Sequence, residues 1–198
     1  MNRNRPEVLV LYASGGGSTA LMAELIAAEL EDFAEISLQR LEPGRKGPDP
    51  ENYDAVIAGS AIRYDRWLTQ MTAYVESNEQ SLQRRSVAFF FSCLSLAGGE
   101  DGRKQARTYE NRIRNLTSIQ PLSIQGFAGT LNYSAIPYWI RIPFRVGMKI
   151  KGLKEGDYRE PEAIRAWGRR IKAELRRRWE NGMDRDRDLR SGKTGAVA

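Results

Sequence analysis

The chain contains no histidine and a single cysteine, Cys93, among its 198 residues. Without histidine, neither Ser-His-Asp nor Cys-His catalysis can be built, and histidine-ligated metal or haem sites are excluded as well. A lone cysteine cannot form an internal disulfide or a cysteine-rich zinc site, which is typical of a reducing compartment such as the cytoplasm. An enzyme of this composition is therefore expected to use an organic cofactor and no metal.

Long apolar runs are also missing. No stretch approaches the length that spans a bilayer, and the short run after Arg3 and Arg5 is too brief for a signal peptide. We therefore expect a cytoplasmic protein, at most peripheral on the inner face of the membrane. The length fits one domain, predicted to cover residues 1–180, because the polar composition of residues 181–198 favours a disordered tail.

The positive charge is concentrated in one part of the chain. The net charge is +6, and residues 141–178 alone contain 13 basic and 5 acidic residues. A localised excess indicates an anionic partner more strongly than a diffuse one does. The Asp-Arg run of the tail is neutral, which argues against a nucleic-acid-binding arm.

The apolar run at residues 8–11 stops at a turn rich in glycine and hydroxyl groups, and a helical pattern of apolar residues follows at once. In a strand, glycine turn and helix, backbone N–H groups and the positive helix end converge on a volume that suits phosphate. The alternative is a tight turn with convenient capping residues. The candidate phosphate-binding residues are Ser14, Gly15, Gly16, Gly17, Ser18 and Thr19.

This turn differs from two common phosphate loops. No lysine follows the glycines as in a P-loop, and the spacing is not G-x-G-x-x-G. The pattern from Ser14 to Thr19 resembles the loop with which the flavodoxin family binds the phosphate of FMN. That family usually has a second hydroxyl residue at the position of Gly16, and backbone amides could replace it.

Apolar strands alternate with helical patterns along the chain. The strands are predicted at residues 8–11, 34–38, 53–59, 87–91 and 124–131. This alternation favours a parallel sheet covered on both faces. With the resemblance, it predicts an α/β, flavodoxin-like five-stranded sheet in the order 2-1-3-4-5, with an inserted segment before the last helix. In that order, the turns after strands one, three and four converge on one edge.

Residues 59–64 read Gly-Ser-Ala-Ile-Arg-Tyr after a predicted buried strand. Residues 53–64 resemble the flavodoxin-type, menaquinone-dependent protoporphyrinogen IX dehydrogenases, in which a buried strand leads to Gly-(Ala/Ser)-(Ser/Ala)-Ile-Arg-Tyr beside the flavin ring. The alternative for residues 62–64 is a helix entry with an aromatic ring packed on the core. Because these turns converge at one edge of the sheet, we expect the flavin ring between residues 60–64 and residues 92–96, with Arg63 or Tyr64 near its edge. Cys93 is expected to be a passive wall residue, because no base or cation lies beside it in the sequence. The predicted flavin-binding residues of these turns are Ser60, Ala61, Ile62, Arg63, Tyr64, Ser92, Cys93, Leu94 and Ser95.

The segment predicted as an insertion, about residues 133–158, supports the same resemblance. Gly-Thr-Leu-Asn-Tyr at residues 129–133 and the aromatic, basic stretch that follows resemble the corresponding parts of that family. Residues 153–160 form a shorter link than is usual there. The resemblance implies an anionic tetrapyrrole substrate and a quinone acceptor, and the predicted substrate- and membrane-facing residues are Tyr138, Trp139, Arg141, Arg145 and Lys149.

Arg141, Arg145 and Lys149 recur every four residues, which places three cations on one helical face beside aromatic residues. Such a segment suits a membrane surface, and it suits a flat apolar molecule with carboxylates equally well. The third possibility is an ordinary helix with a solvated basic face.

The resemblance favours an FMN-dependent oxidoreductase that converts protoporphyrinogen IX to protoporphyrin IX, a step of haem biosynthesis, with a quinone as acceptor. One alternative is a flavodoxin-like electron carrier, although such carriers are generally acidic and lack the inserted segment. The other is an FMN-dependent quinone or NAD(P)H reductase.

Overall fold

The structure is a computed structural model that describes residues 5–131, 142 and 154–190, with side chains up to residue 182. The lip is the name used here for the residues predicted to face the substrate and the membrane, Tyr138, Trp139, Arg141, Arg145 and Lys149. They lie outside the described residues. In the described ranges, no helix is both long and apolar enough to cross a membrane.

The described strands and helices alternate through most of the chain. The strands are β1 Glu7–Ala13, β2 Glu35–Arg40, β3 Ala55–Arg63, β4 Arg66–Trp67, β5 Ser86–Cys93, β6 Ile124–Ala128, β7 Thr130–Leu131 and β8 Gly156–Asp157. The helices are α1 Ser18–Leu30, α2 Thr69–Ser77, α3 Glu79–Gln83, α4 Gly99–Arg114 and α5 Pro161–Arg190. Two 3₁₀ turns occur at Pro50–Asn52 and Leu94–Gly98.

Among the described strands, five form a parallel sheet in the order β2-β1-β3-β5-β6. This arrangement confirms the predicted fold class and its order 2-1-3-4-5. The central strands have apolar side chains at successive positions because both of their faces are covered. Val8, Leu9, Val10 and Leu11 of β1 are all fully buried.

Alternate residues of each strand pack on opposite faces of the sheet. Leu9 and Leu11 join a cluster with α2, α3 and α4, whereas Val8 and Val10 join a cluster with α1 and α5. In the second cluster the Trp167 ring packs against Phe90 and Phe127, and its Nε1 donates to Ser123 Oγ at 3.0 Å. The two layers of helices leave the carboxyl edge of the sheet accessible, and the candidate site lies there.

Strand β3 is longer than predicted because it continues into a tight hairpin with β4. Ile62 pairs with Trp67 and Arg63 with Arg66, so Tyr64 and Asp65 form a two-residue loop. Both loop residues have positive φ, 50° and 61°, as a hairpin turn that matches the strand twist requires. This conformation is rare for tyrosine, so the residue types at this position do not predict the turn.

The prediction of one strand over residues 124–131 is wrong at its end. The parallel strand stops at Ala128, and β7 leaves the main sheet to pair antiparallel with β8. The pairs are Thr130 with Asp157 and Leu131 with Gly156. Leu131 and Gly156, the residues that flank 132–155 in the sequence, are therefore paired at the carboxyl edge of the sheet.

The prediction of a disordered tail from residue 181 is wrong for residues 181–190, which belong to helix α5. Arginine, methionine and leucine are good helix formers, and extending an existing helix costs less than starting a new one. A polar composition therefore does not end a helix that packing on the sheet has already nucleated. The other residues of the predicted tail, 191–198, lie outside the described residues.

Candidate functional site

The carboxyl ends of the central strands border a cavity of about 630 Å³. Its walls come from the glycine turn after β1, the β3 hairpin, the end of β5 and the β7–β8 pair. Ligands of open parallel sheets bind at this edge, next to the point where the strand order reverses. The lining residues are Ser14, Gly15, Gly16, Ser18, Thr19, Ala61, Ile62, Arg63, Ser92, Leu94, Gly129, Thr130, Leu131, Glu155, Gly156 and Asp157.

The glycine turn, residues 14–19, is called the phosphate loop below. Gly17 has φ +88° and stands at the N-cap of α1, so the loop needs a residue that tolerates the left-handed region. Ser14 Oγ accepts a hydrogen bond of 3.0 Å from the Gly17 N–H, which closes the turn. Among the described residues, no side chain caps the first turn of α1. The positive end of this helix therefore faces the cavity without a built-in acceptor.

Thr19 carries an unsatisfied polar atom in this loop. The residue is fully buried and lines the cavity, and its Oγ1 has no hydrogen-bond partner in the described part of the chain. Burying a hydroxyl without a partner costs free energy, so such groups in native proteins usually serve a ligand or a water. A phosphate monoester on the loop would accept from this hydroxyl and from the helix N–H groups. The residues present therefore fit a phosphate group.

Ser18 lines the cavity and also makes a contact that the sequence did not predict. Its Oγ accepts a hydrogen bond of 3.1 Å from the Thr130 N–H and lies 2.8 Å from Thr130 Oγ1. The backbone just before β7 also lies close to the end of β5: a Cβ on Gly129 would lie 2.9 Å from Ser92 Oγ. The Ser18 side chain thus joins the phosphate loop to the β7–β8 pair.

The β3 hairpin supplies a second wall. Ala61, Ile62 and Arg63 line the cavity, whereas the side chain of Ser60 is buried within the hairpin. Ser60 Oγ donates to Ala61 O and accepts from the Leu68 N–H, each at 3.0 Å. Tyr64 does not line the cavity in this structure; it lies at the hairpin tip with 86% of its surface exposed.

Successive residues at the end of β5 face either the cavity or the core. Ser92 and Leu94 line the cavity, whereas Cys93 points to the opposite face and is buried in the core. Burial raises the pKa of the Cys93 thiol to about 11, so it stays protonated at neutral pH. The structure thus places Cys93 behind the cavity wall, and Ser95 lies outside the lining as well.

The β7–β8 wall contains lining residues that the sequence analysis did not select. They include two acidic residues, Glu155 and Asp157, and Asp157 pairs with Thr130 across β7 and β8. A hydrogen bond from Arg159 lowers the pKa of Asp157, which therefore remains ionised at neutral pH. The hydroxyl of Thr130, near a predicted strand end, was the one sequence feature that pointed to this wall. The pairing of residues 130–131 with 156–157 is too short to produce a periodic sequence pattern.

Comparison with known proteins places the chain among flavodoxin-like proteins. A family model described as "Flavodoxin domain" matches residues 9–157. The chain is 26% identical over 165 residues to the protoporphyrinogen IX dehydrogenase [quinone] of Escherichia coli K12, covering 81% of this chain and 88% of that protein. It is also 26% identical to the NAD(P)H dehydrogenase (quinone) of Afipia carboxidovorans, covering 66% and 77%.

The fold resembles the crystal structure of a Fusobacterium nucleatum flavodoxin bound to flavin mononucleotide. The TM-score is 0.52 at 12% identity, and the match covers 85% of this chain and 98% of the flavodoxin.

Proposed function

The chain belongs to the flavodoxin domain family, and from this premise we propose that it is an FMN-dependent oxidoreductase that oxidises protoporphyrinogen IX and passes the electrons to a quinone. One observation carries the cofactor assignment. The fully buried Thr19 hydroxyl lacks a partner among the described residues, in a glycine-rich loop that lines a cavity at the carboxyl edge of the sheet. A phosphate monoester supplies the acceptor that this hydroxyl lacks.

The residues of the phosphate loop would hold the cofactor by its phosphate. Backbone N–H groups at the start of α1 and the Thr19 hydroxyl would donate to the phosphate, and the glycines would leave room for it. Ala61, Ile62, Ser92 and Leu94 form walls against which a flat ring can lie. When bound, FMN supplies the hydride and electron transfer that no side chain of this histidine-free protein can perform.

The substrate assignment is supported by the E. coli relative and by the composition of the chain. That relative is named for protoporphyrinogen IX and quinone, and it matches this chain along most of both lengths. Porphyrinogens are broad and apolar and carry carboxylates, which suits a lip with aromatic residues and the cations Arg141, Arg145 and Lys149. The ends of that segment join the cavity wall at β7 and β8. A position peripheral on the cytoplasmic membrane face is part of the proposal.

A second candidate is a quinone reductase that takes electrons from NAD(P)H. The Afipia relative, which is named for this reaction, supports it. A simple electron carrier is disfavoured by the net charge of +6 and by the inserted segment.

Anaerobic turnover separates the candidates. Protein loaded with FMN is mixed with protoporphyrinogen IX, with and without a menaquinone analogue, and protoporphyrin fluorescence is followed over time. We expect protoporphyrin to form at a rate that depends on the quinone. Flavin-free protein and free FMN at the same concentration are the controls, and both should give only the background rate. Absence of conversion, together with rapid quinone reduction by NAD(P)H, would assign the second candidate instead.

A further inference from the structure

The side chain of Arg63 lies against the phosphate loop, although Arg63 belongs to β3 and the loop follows β1. Arg63 ends β3, lines the cavity and is exposed. Its Nη2 lies 3.1 Å and its Cζ 3.5 Å from the point that a Cβ on Gly15 would occupy. The absence of a side chain at Gly15 is therefore what lets the guanidinium approach the loop so closely.

In the described part of the chain, no acid forms an ion pair with Arg63. The neighbouring cations differ in this respect. Arg40 reaches the same loop, where its Nη2 donates to Ser14 O at 3.2 Å, but Glu42 lies 3.3 Å from its Nε. Arg159, close to β8, is paired with Asp157. Among the described residues that line the cavity, Arg63 is thus a cation without an ion pair, and it is available to an anionic ligand.

Among the described residues that line the cavity, Arg63 is the one cation. The ionised Asp157 also lines the cavity, but Arg159 pairs with it. The helix end and the Thr19 hydroxyl supply only partial charges. The guanidinium of Arg63 would add a full positive charge beside a phosphate dianion, and it has donors that match two phosphate oxygens at once.

We propose that Arg63 pairs with the phosphate of FMN and makes the cavity select FMN over riboflavin. This inference rests on the proposed function and adds a residue role to it. The resemblance to known dehydrogenases placed Arg63 beside the flavin ring, whereas the contact with Gly15 assigns it to the phosphate.

The test compares two flavins that differ only in the phosphate. Fluorescence quenching gives the Kd of flavin-free protein for FMN and for riboflavin, in the unmodified chain, in Arg63→Gln and in Arg66→Gln. Arg66 is the matched control, because it pairs with Arg63 across the same hairpin, is equally exposed and does not line the cavity. Both substitutions remove one charge from the exposed surface, and equal melting temperatures will show that both variants fold.

For Arg63→Gln we expect the Kd for FMN to rise about ten- to a hundredfold, as for the loss of a charge-assisted hydrogen bond, and the Kd for riboflavin to stay within about twofold. Arg66→Gln should leave both values within about twofold. Added salt should weaken FMN binding more in the unmodified chain than in Arg63→Gln.

Equal weakening of both flavins by Arg63→Gln would place Arg63 at the ring and overturn the proposal. If Arg63→Gln changes neither Kd value, Arg63 is a solvated side chain, and the proposal is overturned as well. If the unmodified chain binds neither flavin, the proposed function itself fails. Failure of the Arg63 assignment alone leaves tight FMN binding in the unmodified chain.

Discussion

Gly17→Val is expected to raise the Kd for FMN at least about a hundredfold. Gly17 has φ +88° at the N-cap of α1, and a β-branched residue is strained in that region by roughly 1–2 kcal/mol. The backbone must leave this conformation, which breaks the hydrogen bond from Gly17 N–H to Ser14 Oγ and redirects the N–H groups at the helix start. A hundredfold loss corresponds to about 2.7 kcal/mol, as expected when several phosphate hydrogen bonds are lost together.

Gly44→Val is the matched control for this variant. Gly44 also has a positive φ, +72°, is exposed, and a Cβ there meets no described atom within 4 Å. The two substitutions therefore carry a similar backbone strain, but Gly44 does not line the cavity. Isothermal titration with FMN should give an unchanged Kd for Gly44→Val. Full FMN affinity in Gly17→Val would show that the phosphate does not lie on residues 14–19.

Replacing Arg141, Arg145 and Lys149 together by glutamine is expected to weaken association with anionic vesicles roughly a hundredfold. Each cation at an anionic membrane surface contributes about 1 kcal/mol, so three at one face contribute about 3 kcal/mol. The KM for an anionic porphyrinogen should rise as well, because the same cations face its carboxylates in the proposed lip. The affinity for FMN should stay unchanged, since the phosphate loop lies in another part of the chain. Vesicle sedimentation and steady-state rates measure the two effects.

A control triple variant removes the same charge elsewhere. Arg103, Arg107 and Arg114 are exposed on one face of α4 and do not line the cavity. Their replacement by glutamine should leave vesicle binding within about twofold of the unmodified chain. An equal loss of vesicle binding in both triple variants would show that only the net charge matters. No loss in either variant would show that Arg141, Arg145 and Lys149 are ordinary solvated side chains.

The sheet could be predicted from the sequence because its strands have a strong local pattern. Continuous apolar runs such as residues 8–11 and 87–91 identify buried parallel strands, and the glycine turn after the first run identifies the phosphate loop. The order of the strands followed from the resemblance, and the structure confirms it.

The parts of the site that could not be predicted depend on contacts between distant residues. Ser18 is hydrogen-bonded to Thr130, 112 residues away, and no local sequence pattern predicts this contact. The hairpin of β3 and β4 needs positive φ at Tyr64, which its residue type disfavours. Cys93 faces the core because strand β5 continues to that residue and alternates its side chains, whereas the sequence suggested a polar turn from Ser92 onward.

Titration of flavin-free protein with FMN, followed by the loss of flavin fluorescence, measures whether the cavity at the carboxyl edge holds FMN by its phosphate. We expect saturation at one FMN per chain, with inorganic phosphate competing for the site and riboflavin binding more weakly than FMN. Riboflavin binding as tightly as FMN without competition by phosphate, or the absence of saturable FMN binding, would show that the phosphate loop does not hold FMN.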